Sequence, residues 1–203
     1  MILKMSLTDT QIEELCKKMN VDLAGCYFKD ELPPLEFNKG YLVNLEDEFN
    51  EKGELNVGSH WTTFVVVKYP TGKIDPIYFD AFGCPPPEDV KDKIEKFAKV
   101  KYLPHNTKDI QSMMANCCGW FCVAFLHYLS NFSHRTGDVY EDTETFLSYF
   151  DDLNKSADFK KNEFILKHFF QSKDPKLRRA IEVVADPNNI TEDSNGGIDL
   201  SKI

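Results

Sequence analysis

Hydrophobic residues recur at helical spacing in several stretches of the chain. Ahead of the first stretch, Thr8 and Gln11 stand three residues apart, as the two partners of a capping box do. The segment from Cys118 to Leu129 is apolar nearly all round, which predicts a helix buried at the centre of the fold. The predicted helices cover about 8–19, 88–99, 118–129, the surroundings of 141–150 and 162–170, and a short segment over 177–184.

A β-branched run predicts the main strand of a sheet. Residues 62–67 form a continuous apolar and β-branched run, a turn follows at 70–73, and 77–80 is a second short strand, so together they predict a hairpin. Because the first strand does not alternate with polar residues, we expect the sheet to be covered on both faces. Shorter strands are predicted at 42–43 and 100–103.

Length and composition predict one globular domain. The chain has 203 residues, of which 42% are hydrophobic and 13% aromatic. A chain of this length can bury a substantial core as a single unit. We predict that this domain covers residues 1–185. Residues 186–203 are polar and rich in Gly, Asn and Asp, and we predict that they form a flexible tail.

Charge and cysteine content narrow the class of protein. The chain has 24 basic and 33 acidic residues, and its formal net charge of −9 argues against nucleic acid as a partner. No segment reaches the roughly 18 apolar residues of a membrane span, so we predict a soluble, intracellular protein without a membrane partner. Six cysteines at irregular spacing do not form a secreted disulfide framework, so we expect free thiols.

Cys118 is the candidate nucleophile. It stands at the start of the predicted buried helix, where unpaired N–H groups and the helix dipole favour a thiolate. The N–H of Cys118 can donate to a developing oxyanion, and Gly119 lets a substrate backbone approach closely. By itself, this window favours another interpretation, in which Cys117, Cys118 and Cys122 are small buried apolar residues.

His60 and Asp80 make catalysis the better hypothesis. His60 stands where the chain begins the apolar strand, at an edge that leaves an imidazole partly exposed to water, and Trp61 can wall it. A thiolate–imidazolium pair also needs a third group to orient the ring. The predicted hairpin returns Asp80 to within about three residues of the level of His60. A solvated strand end is the alternative interpretation of Asp80.

Gln111 is a candidate for the oxyanion hole. It precedes Cys118 by seven residues in a predicted loop, where a side-chain amide can donate to a developing negative charge.

A metal site is not predicted, because Cys118 and Cys122 have no second Cys or His pair at matching spacing.

With these residues identified, the sequence resembles the adenovirus-type maturation proteases. This family shares its fold with the cysteine proteases that remove ubiquitin-like proteins, and proteases of virophages and Polinton-like elements look most similar. The resemblance covers roughly residues 8–132. The residues that carry it are His60-Trp61, Tyr78-Phe79-Asp80-Ala81-Phe82-Gly83, Gln111, and the run from Cys118 to His127.

The resemblance implies a papain-like, adenain-like α+β fold for the domain over 1–185. Its mixed central sheet is flanked by helices, and its nucleophile heads a buried central helix. The family pattern places Gly directly after the nucleophile, which selects Cys118 over Cys117. The implied roles are Cys118 as nucleophile, His60 as general base, Asp80 as orienting acid, and Gln111 with the Cys118 N–H as oxyanion hole.

The resemblance also implies a substrate class. Relatives cut capsid and virion precursor proteins after Gly-Gly or Gly-X-Gly, during particle maturation in the infected host cell, and are packaged in the virion. A narrow cleft explains a preference for glycine, since larger side chains would collide with Trp61 and the Gln111 loop, and Trp61 and Gly119 are the predicted substrate-binding residues. Gly196-Gly197, in the predicted tail, is then a candidate site of self-cleavage.

Activators are the point at which this sequence departs from the family. The adenovirus members are basic proteins stimulated by DNA and by a viral peptide held through a disulfide. This chain is acidic, and neither Cys26 nor Cys84 is identified as the counterpart of the peptide-binding cysteine. The sequence therefore predicts no required cofactor.

Two other functions stay open on the sequence alone. The first keeps the chemistry and changes the substrate, making the protein an isopeptidase that removes ubiquitin-like modifiers from host proteins. The second is a binding domain of the same fold without activity.

Overall fold

The computed structural model describes residues 6–113, 115–130, 136–154 and 159–171. The predicted short helix at 177–184, the predicted tail over 186–203 and Gly196-Gly197 lie outside these residues. The five other predicted helices are confirmed to within a few residues at their ends. The helices and strands of the described residues are α1 (Asp9–Lys18), β1 (Leu23–Phe28), β2 (Gly40–Asn44), β3 (Trp61–Lys68), β4 (Ile74–Phe79), α2 (Glu88–Ala98), α3 (Cys118–Ser130), α4 (Val139–Ser148) and α5 (Phe159–Gln171).

The strands form one mixed sheet in the order β1-β2-β3-β4. β1 and β2 are parallel, whereas β2 with β3 and β3 with β4 are antiparallel. The predicted hairpin is the β3–β4 pair, and the predicted strand at 42–43 is the centre of β2. The α+β class with a mixed sheet flanked by helices is therefore confirmed.

Both faces of the sheet are covered, as the apolar run of β3 predicts. On one face, Leu42, Val65 and Phe79 belong to a core shared with α1, α3, α4 and α5. On the other face, Tyr41 and Phe64 belong to a second core shared with α2. Side chains of a strand alternate between faces, so β3 needs apolar residues at successive positions to serve both cores.

α3 is the central helix of the larger core. All its residues are buried except His127 and Ser130, which are partly exposed. A helix that is apolar all round gains most when it is surrounded by other elements, and α3 packs against β3, α1, α4 and α5. Despite this apolarity, no helix among the described residues is both long and apolar enough to cross a membrane.

The predicted strand at 100–103 is wrong. α2 ends at Ala98, and the positive φ of 58° at the following Lys99 turns the chain away. The segment then meets β4 at a single parallel bridge between Tyr78 and His105, where the N–H of Tyr78 donates to the Pro104 carbonyl at 3.0 Å. Pro104 has no N–H to continue a ladder, so the segment stays irregular.

The capping box predicted at the first helix is present. The N–H of Thr8 donates to Oε1 of Gln11 at 3.0 Å, and the N–H of Gln11 donates to Oγ1 of Thr8 at 3.3 Å. Both bonds satisfy donors that a helix end leaves unpaired. They fix the start of α1, which packs against α3 and β1.

Candidate active site

The β3–β4 hairpin brings His60 and Asp80 together. Thr63 pairs with Phe79 across the two strands, so His60 lies just before β3 and Asp80 just after β4 at the same end of the sheet. Nε2 of His60 is 2.7 Å from Oδ1 of Asp80. The proximity predicted from the hairpin is thus present as a direct hydrogen bond.

Asp80 is buried, so its interpretation as a solvated strand end is wrong. Its side chain is only 2% exposed. Oδ1 accepts a second hydrogen bond from the N–H of Phe82 at 2.9 Å, and the N–H of Gly83 donates to the Asp80 carbonyl at 2.8 Å. A tight turn after β4 therefore aims the carboxylate at the imidazole.

The imidazole of His60 is held between two groups. Because Nε2 faces Asp80, Nδ1 is the ring nitrogen left for the thiol of Cys118, whose interaction with the imidazole raises the pKa of His60. The ring that stacks on the imidazole is Phe82, at a centroid distance of 4.6 Å and an interplanar angle of 27°. The His60 side chain keeps 13% exposure, as expected for an edge position.

Cys118 is the first residue of α3, so backbone donors surround its sulfur. The N–H of Trp61 donates to Sγ at 3.5 Å, and the backbone of Gly119 also lowers the pKa of the thiol. Unpaired N–H groups at a helix start stabilise an anion. This end of α3 is thus arranged to hold a thiolate.

The pKa values of the two groups move in the directions that favour an ion pair. Burial raises the pKa of Cys118, but the hydrogen bond and charge of His60 outweigh it and bring the pKa below its ordinary value. Burial lowers the pKa of His60, but the hydrogen bonds to Asp80 and Cys118 outweigh it and raise the pKa to about 9. Both shifts favour the thiolate–imidazolium form of the pair.

The pKa values of the other five cysteines are shifted in the opposite direction, upwards. All six thiols lie within the described residues and are free. Burial is the largest cause of each upward shift, and it raises the pKa of Cys16 to about 12. Of the adjacent pair, only Cys118 has a cationic partner. The pKa values raised above the ordinary thiol value are those of Cys16, Cys26, Cys84, Cys117 and Cys122.

Gln111 lies in the loop that leads to α3. Its side chain is buried, and Nε2 donates to the carbonyl of Ala115 at 3.0 Å, which leaves the second hydrogen of the NH₂ group for another acceptor. Its backbone N–H donates to the carbonyl of Ala81 at 3.1 Å, which ties it to the residue after Asp80. Its part in an oxyanion hole stays a prediction.

Trp61 and Gly119 are neighbours, but both face the interior in part. Nε1 of Trp61 donates to the carbonyl of Leu7 at 3.0 Å. A Cβ added to Gly119 would meet Leu7 and Ile12 at 3.4 Å and Cδ1 of Trp61 at 3.5 Å. These are ordinary contact distances. A side chain at Gly119 would point towards α1, because Leu7 and Ile12 are among its nearest neighbours. Substrate binding by the two residues stays a prediction.

The structure adds two residues that the sequence interpretation missed. Phe82 was part of the family motif but had no assigned role, and it stacks on His60. Asn106 is buried, and its side-chain amide bonds both the N–H and the carbonyl of Asp80, at 2.9 and 2.6 Å. A loop asparagine carries no sequence signal of burial, so nothing in the pattern could have identified it.

Within residues 6–113, 115–130, 136–154 and 159–171, no group of three or more His, Cys, Asp or Glu side chains is placed to hold a metal ion.

Similarity to known proteins is found at the level of structure. No protein-family profile matches the chain, and no curated protein sequence matches it. Nine chains of solved structures do. One is the Xanthomonas campestris effector protein XopD bound to ubiquitin, with a TM-score of 0.40 and 11% identity, over 64% of this chain and 76% of that chain. A likeness at this level establishes neither fold nor activity, so the site is interpreted from its own geometry.

Proposed function

We propose that the protein is a cysteine protease whose nucleophile is Cys118. The observation that carries the proposal is the contact of one imidazole with two partners. His60 bonds Asp80 at 2.7 Å through Nε2 and also interacts with the Cys118 thiol, and Cys118 alone among the six cysteines has a lowered pKa. An activated nucleophile, a base and a group that orients the base are the parts that covalent acyl transfer needs.

The first half of the reaction forms a thioester. The Cys118 thiolate attacks the substrate carbonyl carbon, and the carbonyl electron pair moves to the oxygen. The resulting oxyanion accepts hydrogen bonds from the Cys118 N–H and from the free N–H of the Gln111 amide. As the C–N bond breaks, the imidazolium of His60 gives its Nδ1 proton to the leaving amine.

The second half regenerates the enzyme. Water attacks the thioester carbonyl and passes a proton to Nδ1 of neutral His60. The C–S bond then breaks, so the acid product leaves and the thiolate–imidazolium pair returns. Asp80 accepts the hydrogen bond from Nε2–H of His60 and thereby holds that tautomer of the ring.

The substrates that we propose are capsid and virion precursor proteins with Gly-Gly or Gly-X-Gly before the scissile bond. The resemblance to the viral maturation proteases supports this choice. It is carried by His60-Trp61, Asp80 and the run that begins at Cys118. The second candidate, an isopeptidase for ubiquitin-like modifiers, uses the same chemistry, because such modifiers also present a C-terminal glycine to the thiol.

A three-substrate assay separates these functions. Fluorogenic peptides ending in Gly-X-Gly or Gly-Gly, a ubiquitin C-terminal amide, and a capsid precursor are each incubated with the wild type, with C118A and with C117A. We expect turnover of the peptides and the precursor by the wild type and C117A, and none by C118A. Cleavage of the ubiquitin amide alone makes the isopeptidase correct.

The same proteins test whether the chain is instead an inactive binding domain. A peptide ending in Gly-Gly with a C-terminal vinyl ester labels an activated Cys118, and intact mass identifies the adduct. Absence of both turnover and labelling in the folded wild type overturns the protease proposal.

A further inference from the structure

Asp80 lies beyond the last residue pair of the sheet, so the strands do not hold it. β4 ends at Phe79, whose partner is Thr63. Asp80 itself is buried, and a buried peptide group without a hydrogen bond is costly. Its backbone must therefore find partners elsewhere, and those partners decide where the carboxylate points.

The partner is the side chain of Asn106. The N–H of Asp80 donates to Oδ1 of Asn106 at 2.9 Å, and Nδ2 of Asn106 donates to the Asp80 carbonyl at 2.6 Å. A side-chain amide has the donor and acceptor of a peptide group. Asn106 thus acts on Asp80 as a neighbouring strand would.

The position of Asn106 follows from the bridge beside it. Tyr78 and His105 form a parallel bridge, with the N–H of Tyr78 on the Pro104 carbonyl. Continued parallel pairing would bring the N–H of Asp80 to the backbone carbonyl of Asn106. The side-chain carbonyl of the same residue takes that place, so the ladder is extended by one step after the chain has turned away.

The same segment also holds the loop of Gln111. Nδ2 of Asn106 donates to the Lys108 carbonyl at 3.2 Å, which closes a turn, and both Ile110 and Gln111 donate their N–H groups to the Ala81 carbonyl. The residue after Asp80 is therefore bonded to the backbone of Gln111. One short segment sets the acid and the amide relative to each other.

We propose that Asn106 is a positioning residue that aligns Asp80 with His60 and, through residues 108–111, fixes the position of Gln111 relative to Asp80. This inference rests on the proposed function, because it concerns the geometry of that site. Asn106 acts only through Asp80 and Gln111.

Asn38 provides a matched control. It makes the same pair of bonds with Lys68, accepting from the N–H at 2.9 Å and donating to the carbonyl at 3.3 Å. Lys68 is the last residue of β3, roughly 23 Å along the strand from Trp61 at about 3.3 Å per residue. Asn38 is exposed and has a positive φ of 64°, so alanine there adds backbone strain to the loss of the same two bonds.

The experiment compares N106A, N38A and D80N with the wild type. Each protein is checked for folding by circular dichroism, and kcat, KM and the pH dependence of Cys118 alkylation by iodoacetamide are measured, with the modified residue identified by mass. The modified residue must be identified because Cys84 is another thiol nearby. The pKa values of Cys84 and Asp109 are both raised by burial and also by the charge of Asp80.

We expect N106A to lose kcat on the order of 10²-fold, the cost of a small misplacement of catalytic groups, at an unchanged KM. Its alkylation profile should move towards that of D80N, with the acid limb at higher pH and the alkaline limb at lower pH. N38A should lower the melting temperature without moving the profile. N106D keeps the acceptor for the Asp80 N–H but loses the donor, so its profile should lie between those of the wild type and N106A.

Each other outcome has one meaning. If D80N shifts the profile but N106A behaves like N38A, the positioning role is wrong and the proposed function stands. If Cys118 reacts no faster than the other thiols and D80N has the wild-type profile, the proposed function itself fails. If N106A does not fold, N106D decides in its place, and an unchanged profile or a loss of folding in N106D makes Asn106 purely structural.

Discussion

Nε2 of His60 lies 2.7 Å from Oδ1 of Asp80, although the two residues are twenty positions apart in the sequence, at the two ends of a hairpin. The bond orients the imidazole so that its other nitrogen is left for Cys118. It also raises the pKa of His60 to about 9, because the carboxylate favours the charged ring more than burial disfavours it. The state of the thiol therefore depends on a carboxylate that does not touch it.

Cys118 should be alkylated before every other cysteine. At pH 7, iodoacetamide in sub-stoichiometric amount should modify Cys118 more than tenfold faster than Cys117, since each pKa unit changes the thiolate fraction about tenfold. Burial raises the pKa of Cys117, and its side chain has no exposure. Peptide mapping by mass gives the site, with C118A as the control; equal modification of both cysteines contradicts the prediction.

Replacing Asp80 should weaken folding in a pH-dependent way. The folded-state pKa of His60 is raised from 6.5 to about 9, so the stabilisation is fully present below about pH 6.5 and is lost as pH rises through 9. D80N should therefore lower the free energy of unfolding by about 1.5–3 kcal/mol at pH 6 and by less at pH 10. Urea unfolding at the two pH values measures this, and an equal deficit at both would show that the charged pair is not responsible.

Gln111 should affect turnover but not thiol activation. Q111A removes an amide donor without touching His60 or Asp80, so kcat should fall by about 10²–10³-fold. Alkylation of Cys118 should keep its wild-type rate, because the thiolate does not depend on the amide. Parallel kinetics and alkylation separate the two effects. Wild-type turnover in folded Q111A excludes Gln111 from the oxyanion hole.

Gly83 should tolerate substitution far less than Gly72. Both have positive φ, of 70° and 87°, so alanine costs about 1–2 kcal/mol of strain at either position. A Cβ at Gly72 meets nothing within 4 Å, whereas at Gly83 it lies 2.7 Å from the carbonyl carbon of Thr107, in the segment that holds Asp80.

The comparison of G83A with G72A therefore isolates the effect of this backbone contact. G83A should lose about 1–3 kcal/mol more than G72A in urea unfolding, as overpacked sites do, and should also lose kcat/KM. G72A should keep wild-type kcat/KM. A G83A protein as stable and active as G72A means that the segment around Thr107 moves without cost.

Local patterns in the chain predict the main elements well. The apolar run from Cys118 and the β-branched run at 62–67 describe α3 and β3 because each is buried on every side, and burial on every side leaves an unmistakable composition. The strand predicted at 100–103 fails for the opposite reason. Leu103 is buried but Tyr102 is 62% exposed, Pro104 cannot continue a ladder, and Lys99 has already turned the chain.

The sequence by itself determined that a cysteine heads a buried helix and that a histidine and an aspartate bracket a hairpin. Only the tertiary structure decided that these groups meet, since the packing of α3 on β3 brings the Cys118 sulfur to the Trp61 N–H across 57 residues of chain. It also decided the difference between Cys117 and Cys118. Two adjacent thiols look alike in a sequence, but the imidazole of His60 lowers the pKa of Cys118, whereas burial and the charge of Glu163 raise that of Cys117.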